Sequence, residues 1–138
     1  MIRQVIGDTS AIVAVLRRND RFHDWATDTL RSLPKPILTC EAVIAEACFL
    51  LSYDRQGETA VLERVAEGII KIDFSLSAEI DWVQKLMRKY KNVPMSFADA
   101  CLVRMSETIE ASGVFTLDSD FRVYRRHKRQ EIPVIMPD

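Results

Sequence analysis

Arg3-Gln4-Val5-Ile6-Gly7-Asp8-Thr9-Ser10-Ala11-Ile12-Val13-Ala14-Val15-Leu16-Arg17 is the stretch whose reading decides the fold. Arg3 to Gly7 reads as a short buried strand, and Ser10 to Arg17 as the helix that follows it. A strand that passes straight into a helix is the first half of a βαβ unit. An acid, Asp8, sits at the junction.

The same alternation runs outward from there. Phe22 to Ser32 reads as a helix stopped by Pro34-Lys35-Pro36, and Ile37-Leu38-Thr39 as a short strand. Glu41 to Tyr53 and Glu58 to Glu67 read as helices, Ile69 to Phe74 as a strand, and Ser77 to Tyr90 as a helix. Ser96 is expected to cap a helix running to about Ala111, with Gly113 closing it. Val114 to Leu117 follows as a strand, then a short helix from Asp120 to Arg126, and a last strand from Pro133 to Met136. Strands separated by helices imply a parallel sheet with helices on both faces. No repeat or linker interrupts the pattern, so residues 1–138 are read as one α/β domain.

Composition narrows the class. The chain is 48% hydrophobic and 28% charged, with a formal net charge of −1, so any nucleic-acid surface must be a local patch. Cys40, Cys48 and Cys101 lack metal-ligand spacing and read as reduced thiols of a cytoplasmic protein, with no setting for a nucleophilic Cys. The N-terminal apolar run is too short for a signal peptide, and no run reaches membrane-spanning length.

Four acids stand out against this background. Asp8 and Asp118 each end an apolar run, and in an open parallel sheet ligands bind at the carboxyl ends of strands, near a change in strand order. Each would serve equally well as a helix cap or turn residue. Ser96-Phe97-Ala98-Asp99 has the form of a capping box. Glu46 is flanked at helical spacing by Ala42, Val43, Phe49 and Leu50, none of which can pair with it. It is therefore expected to be a buried carboxylate that needs a partner from elsewhere. Clustered carboxylates repel unless a cation neutralises them, and oxygen ligands without Cys or His favour Mg²⁺ or Mn²⁺ over Zn²⁺. Such a site suits phosphodiester hydrolysis.

At these residues the sequence resembles the PIN-domain family, and within it the VapC-type toxins of toxin–antitoxin pairs. The resemblance lies in Gly7-Asp8-Thr9-Ser10-Ala11, Ala45-Glu46-Ala47, Ser96-Phe97-Ala98-Asp99-Ala100 and Thr116-Leu117-Asp118-Ser119-Asp120-Phe121, in that order along nearly the whole chain. It implies a three-layer α/β/α fold around a five-stranded parallel sheet, and a metal-dependent endoribonuclease. The family's four acids match Asp8, Glu46, Asp99 and Asp118, with Asp8 and Asp99 as principal metal ligands. Ser10 and Thr116 match its accompanying hydroxyl residues, and Asp120 competes with Asp118 for the fourth place or caps the helix after it. The resemblance also implies a homodimer and an antitoxin that covers the acidic site.

RNA binding needs cations near phosphates. Arg122, Arg125, Arg126 and Lys128 lie in a run without acids just after the last acidic motif, and Lys85, Arg88, Lys89 and Lys91 form a second group. Tyr124 is expected to pack rather than stack on a base. A haloacid-dehalogenase-like phosphatase would need an acid two residues after its nucleophilic Asp, where this chain has Ser10, and the lysine typical of a response-regulator receiver is not clearly present. The competing reading is a catalytically silent PIN-like module that binds RNA or protein.

Overall fold

The computed structural model describes residues 1–138. Along the chain run β1 (Gln4–Gly7), α1 (Thr9–Leu16), α2 (His23–Ser32), β2 (Ile37–Thr39), α3 (Glu41–Leu50), α4 (Gly57–Ala66), β3 (Ile70–Ile72), α5 (Leu76–Lys89), α6 (Phe97–Thr108) and β4 (Ser112–Phe115). A 3₁₀ turn (Ser119–Arg122), the hairpin β5 (Arg125–Arg126) with β6 (Gln130–Glu131), and β7 (Val134–Ile135) complete it. Five strands form one sheet in the order β3-β2-β1-β4-β7, every neighbour parallel.

The three central strands β2, β1 and β4 are buried on both faces, as crossover helices require. On one face Val5, Ile37 and Phe115 pack with Ala26 of α2, and Trp25 lies against Phe115 with ring centroids 5.7 Å apart. On the other, Ile6, Leu38 and Val114 join Val43 of α3, Val83 and Leu86 of α5, and Leu102 and Val103 of α6. The result is the three-layer α/β/α arrangement that the alternation implied. No helix is long and apolar enough to cross a membrane.

Four expectations are corrected. α3 ends at Leu50 rather than Tyr53, and α6 ends at Thr108 rather than near Ala111. Ala111, at φ 54°, sits in the left-handed region, so Gly113 closes no helix and lies inside β4. There a Cβ would fall 2.5 Å from Ile2 Cδ1, and close packing is what calls for glycine. Finally, Asp120 to Arg126 is not one helix. Its first half is the 3₁₀ turn, and Arg125–Arg126 pairs antiparallel with Gln130–Glu131.

Candidate active site

β1 lies between β2 and β4, so the chain winds away from it in both directions, and the carboxyl ends of β1 and β4 form the switch point at which open parallel sheets bind ligands. Gly7 pairs with Phe115, and the Asp8 N–H donates to the Phe115 carbonyl at 3.0 Å. This register sets Asp8 beside Thr116. Asp8 occupies the cap position of α1, yet its side chain makes no capping bond and is only 4% exposed. Instead one carboxylate oxygen, Oδ2, accepts from Ser10 Oγ at 2.8 Å and from Thr116 Oγ1 at 2.7 Å. Each hydroxyl is itself oriented by a backbone N–H, Leu117 to Ser10 Oγ and Asp118 to Thr116 Oγ1, both at 2.9 Å. Two amide-to-hydroxyl-to-carboxylate chains thus fix one oxygen.

Asp99 comes from the first turn of α6. Ser96 Oγ accepts its N–H at 3.0 Å, as the capping box predicted. Its Oδ2 accepts from Tyr124 Oη at 2.9 Å, and that hydroxyl also lies 3.0 Å from the Pro94 carbonyl. Tyr124 is fully buried and meets Tyr90 and Phe121 edge to face. It packs as expected, but its bond to Asp99 is a role that sequence reasoning missed, because nothing in the sequence links positions 25 residues apart.

Asp118 caps the 3₁₀ turn, its Oδ1 accepting the Asp120 N–H at 2.9 Å. Asp120 is therefore inside the turn it was expected to cap. Glu46 is corrected more sharply. It is exposed on α3 together with Phe49 at 73% and Leu50 at 45%, whereas Val43 is buried and Ala42 half-buried. Only the Val43 side of the four flanking residues faces the core, and Glu46 lies with Phe49 and Leu50 on the outer side of the helix, so no buried partner is required.

The electrostatics tie the remaining acids together. Burial pushes the Asp8 carboxyl up to about 6, against the lowering effect of Thr116 and Ser10, and the charge of Asp99 raises it further. Burial also raises Asp99, opposed by the Tyr124 hydrogen bond, and Asp118 adds to the rise. Tyr124 is raised by burial, then by Asp99, with Asp120 and Asp118 contributing. None of the ion pairs in the molecule reaches these acids. The site holds negative charge that no Lys or Arg neutralises.

These residues fit a hard divalent cation in donor type and in charge. No three acidic, His or Cys side chains group closely enough to share one ion. The four acids expected to converge are therefore not brought together as one ligand cluster, and a site here would have to be one that needs only one or two carboxylates beside water, as Mg²⁺ does. Asp8 and Asp99 are the residues that would hold it.

Two of the predicted basic residues are structurally engaged. Arg125 Nη1 donates to the carbonyls of Arg122, Val123 and Tyr124, and Arg126 Nη1 to that of Ser106. Arg122 and Lys128 are exposed.

Against known proteins, the model of the PIN domain family matches residues 5–127. The chain is 28% identical over 126 residues to Ribonuclease VapC26 of Mycobacterium tuberculosis, covering 89% of this chain and 88% of that protein. Its fold matches the crystal structure of Mycobacterium tuberculosis VapC20, described as a sarcin-ricin loop cleaving toxin, with a TM-score of 0.74 and 20% identity over 87% of this chain and 94% of the other.

Proposed function

Because the chain belongs to the PIN domain family, we propose that it is a Mg²⁺- or Mn²⁺-dependent endoribonuclease and the toxin of a toxin–antitoxin pair. The observation that carries the reading is the buried Asp8 at the carboxyl end of β1, within reach of the charge of Asp99 and with no basic side chain paired to either. The curated relative named a ribonuclease supports it over most of the chain.

In this reading Asp8 and Asp99 hold the ion, which when bound supplies the positive charge that makes a phosphodiester and its attacking water reactive. Ser10 and Thr116 keep the Asp8 oxygen fixed, and Tyr124 does the same for Asp99. Both carboxylates are then oriented before RNA arrives, so less reorganisation is needed during reaction. Asp118 and Glu46 complete the acidic set, Glu46 from an exposed helix face. Asp120 supports Asp118 through its N–H. Arg122 and Lys128, exposed like Arg129 and without a side-chain partner, meet RNA phosphates.

Partners follow the same premise. Phe49, Leu50 and Tyr53 present apolar surface at the end of α3, with Tyr53 97% exposed, and this surface serves the antitoxin or a second copy in a homodimer.

The test is cleavage of total RNA and of a sarcin–ricin-loop hairpin with Mg²⁺, with Mn²⁺ and with EDTA. Activity with metal, its loss in EDTA, and its loss in Asp8→Asn and Asp99→Asn are expected. Cleavage that survives either substitution overturns the assignment. Metal binding without any cleavage would favour the silent binding module.

A further inference from the structure

We propose that the cleft between α5 and the β5–β6 hairpin is a second RNA subsite, which holds backbone phosphates and stacks one base of a single strand apart from the carboxylates. The proposal rests on the ribonuclease reading and extends it to where the substrate is gripped.

Two basic clusters that are far apart in sequence meet here. Lys85 and Lys89 stand one turn apart on α5, and Arg125 and Lys128 belong to the hairpin. Lys89 Nζ donates to the Lys128 carbonyl at 2.8 Å, which ties the hairpin to the helix. Together with Trp82 and Glu107 they line a cleft of 170 Å³, and none of the site acids is among its walls. In a molecule of net charge −1, four cations around one cleft is a strong local concentration. Its single acid is already occupied, since Glu107 pairs with Arg104 at 3.2 Å and accepts the His127 N–H at 2.8 Å. Arg125 is anchored through Nη1 alone, so Nη2 and Nε have no protein partner.

Trp82 selects RNA over an acidic peptide. It is 45% exposed and carries two cations over the ring: Arg104, 4.4 Å from the centroid and held by Glu79 and Glu107, and Lys85, 4.8 Å away, whose flexible side chain must swing to a phosphate for a base to stack. An aromatic face beside cations is the pairing that single-stranded nucleic acid uses, with bases stacking and phosphates paired. A carboxylate chain has no use for the ring.

The test measures binding of a short fluorescent single-stranded oligoribonucleotide to the full chain in EDTA, where cleavage cannot occur. Lys85→Gln with Lys128→Gly removes two cations, and glycine suits the positive φ at 128, so the fold is preserved. The double variant should bind about tenfold more weakly, with a salt slope smaller by about 1.4, on the basis of ~0.7 per phosphate contact with a single strand. Trp82→Leu should lose on the order of tenfold through stacking while keeping the wild-type salt slope. Wild-type affinity and slope in the double variant overturn the proposal. So does competition by polyglutamate that depends on the same lysines, which would make the cleft a peptide site. Failure of wild-type cleavage sinks the ribonuclease reading, while the EDTA binding series still decides the subsite.

Discussion

Asp8 keeps its proton up to about pH 6 in the folded chain, whereas an unperturbed Asp releases it near 3.8. Between those values the folded state binds more protons than the unfolded state, so stability falls as pH rises through the window. The cost is fully present above about pH 7 and amounts to about 3 kcal/mol at 1.36 kcal/mol per unit. Asp8→Asn keeps an oxygen that accepts from Ser10 and Thr116 but carries no charge. It should therefore stabilise the protein by up to about 3 kcal/mol at pH 8 and by little at pH 4, measured by urea unfolding at both. Equal effects at the two pH values would show that Asp8 is not the origin. Thr116→Val removes a donor that lowers Asp8 and strands the Asp118 N–H, so the acidic limb of the pH–rate profile should move to higher pH and stability should drop by about 1–3 kcal/mol. An unmoved limb would detach Thr116 from Asp8. At this scale the hydroxyl partners of Asp8 were visible in the motifs because they sit at fixed offsets from the acids. Glu46 was misjudged for a physical reason: an apolar neighbourhood in sequence does not say which way a helix faces, and α3 turns Phe49 and Leu50 outward.

Strands and helices were legible wherever local signals set them. β2 falls on Ile37–Thr39 as read, and Ser96 caps α6 with the geometry its motif announced. What failed were ends decided by tertiary contact. Gly113 looked like a helix stop, but Ala111 makes the turn and Gly113 is needed where Ile2 crosses β4. The hairpin β5–β6 was hidden because its strands are two residues each and rich in charge, which reads as a solvated run. Ser96 matters beyond its own helix, since its Oγ fixes the turn that carries Asp99. Ser96→Ala should cost about 1 kcal/mol in stability. Ser96→Asp should restore most of it, because Asp caps as well as Ser. A neutral Ser96→Ala in thermal or urea unfolding would mean that α6 is held by packing alone.

At the scale of the whole molecule, the strand order does what no single motif can: it sets β1 beside β4 and delivers Asp8 and Thr116 to one edge of the sheet. The order itself was not legible in the sequence, because a parallel sheet with short strands allows several. The fold then concentrates charge that its own cations leave unpaired, and that defines how the molecule must respond to metal. A cation that binds only the folded state stabilises it by RT ln(1 + [L]/Kd), about 1.4 kcal/mol when Mg²⁺ is at ten times its Kd. Asp8→Asn relieves the same repulsion by another route, so the two effects should not add. Wild type should gain stability from Mg²⁺ at pH 8 and lose that gain below about pH 6, where the proton occupies Asp8. Asp8→Asn should start from a higher stability at pH 8 and show no Mg²⁺ response at either pH. Urea unfolding of both proteins with Mg²⁺ and with EDTA measures all of these quantities. Equal Mg²⁺ stabilisation of wild type and Asp8→Asn would place the cation elsewhere on the protein and separate the buried charge of Asp8 from metal binding.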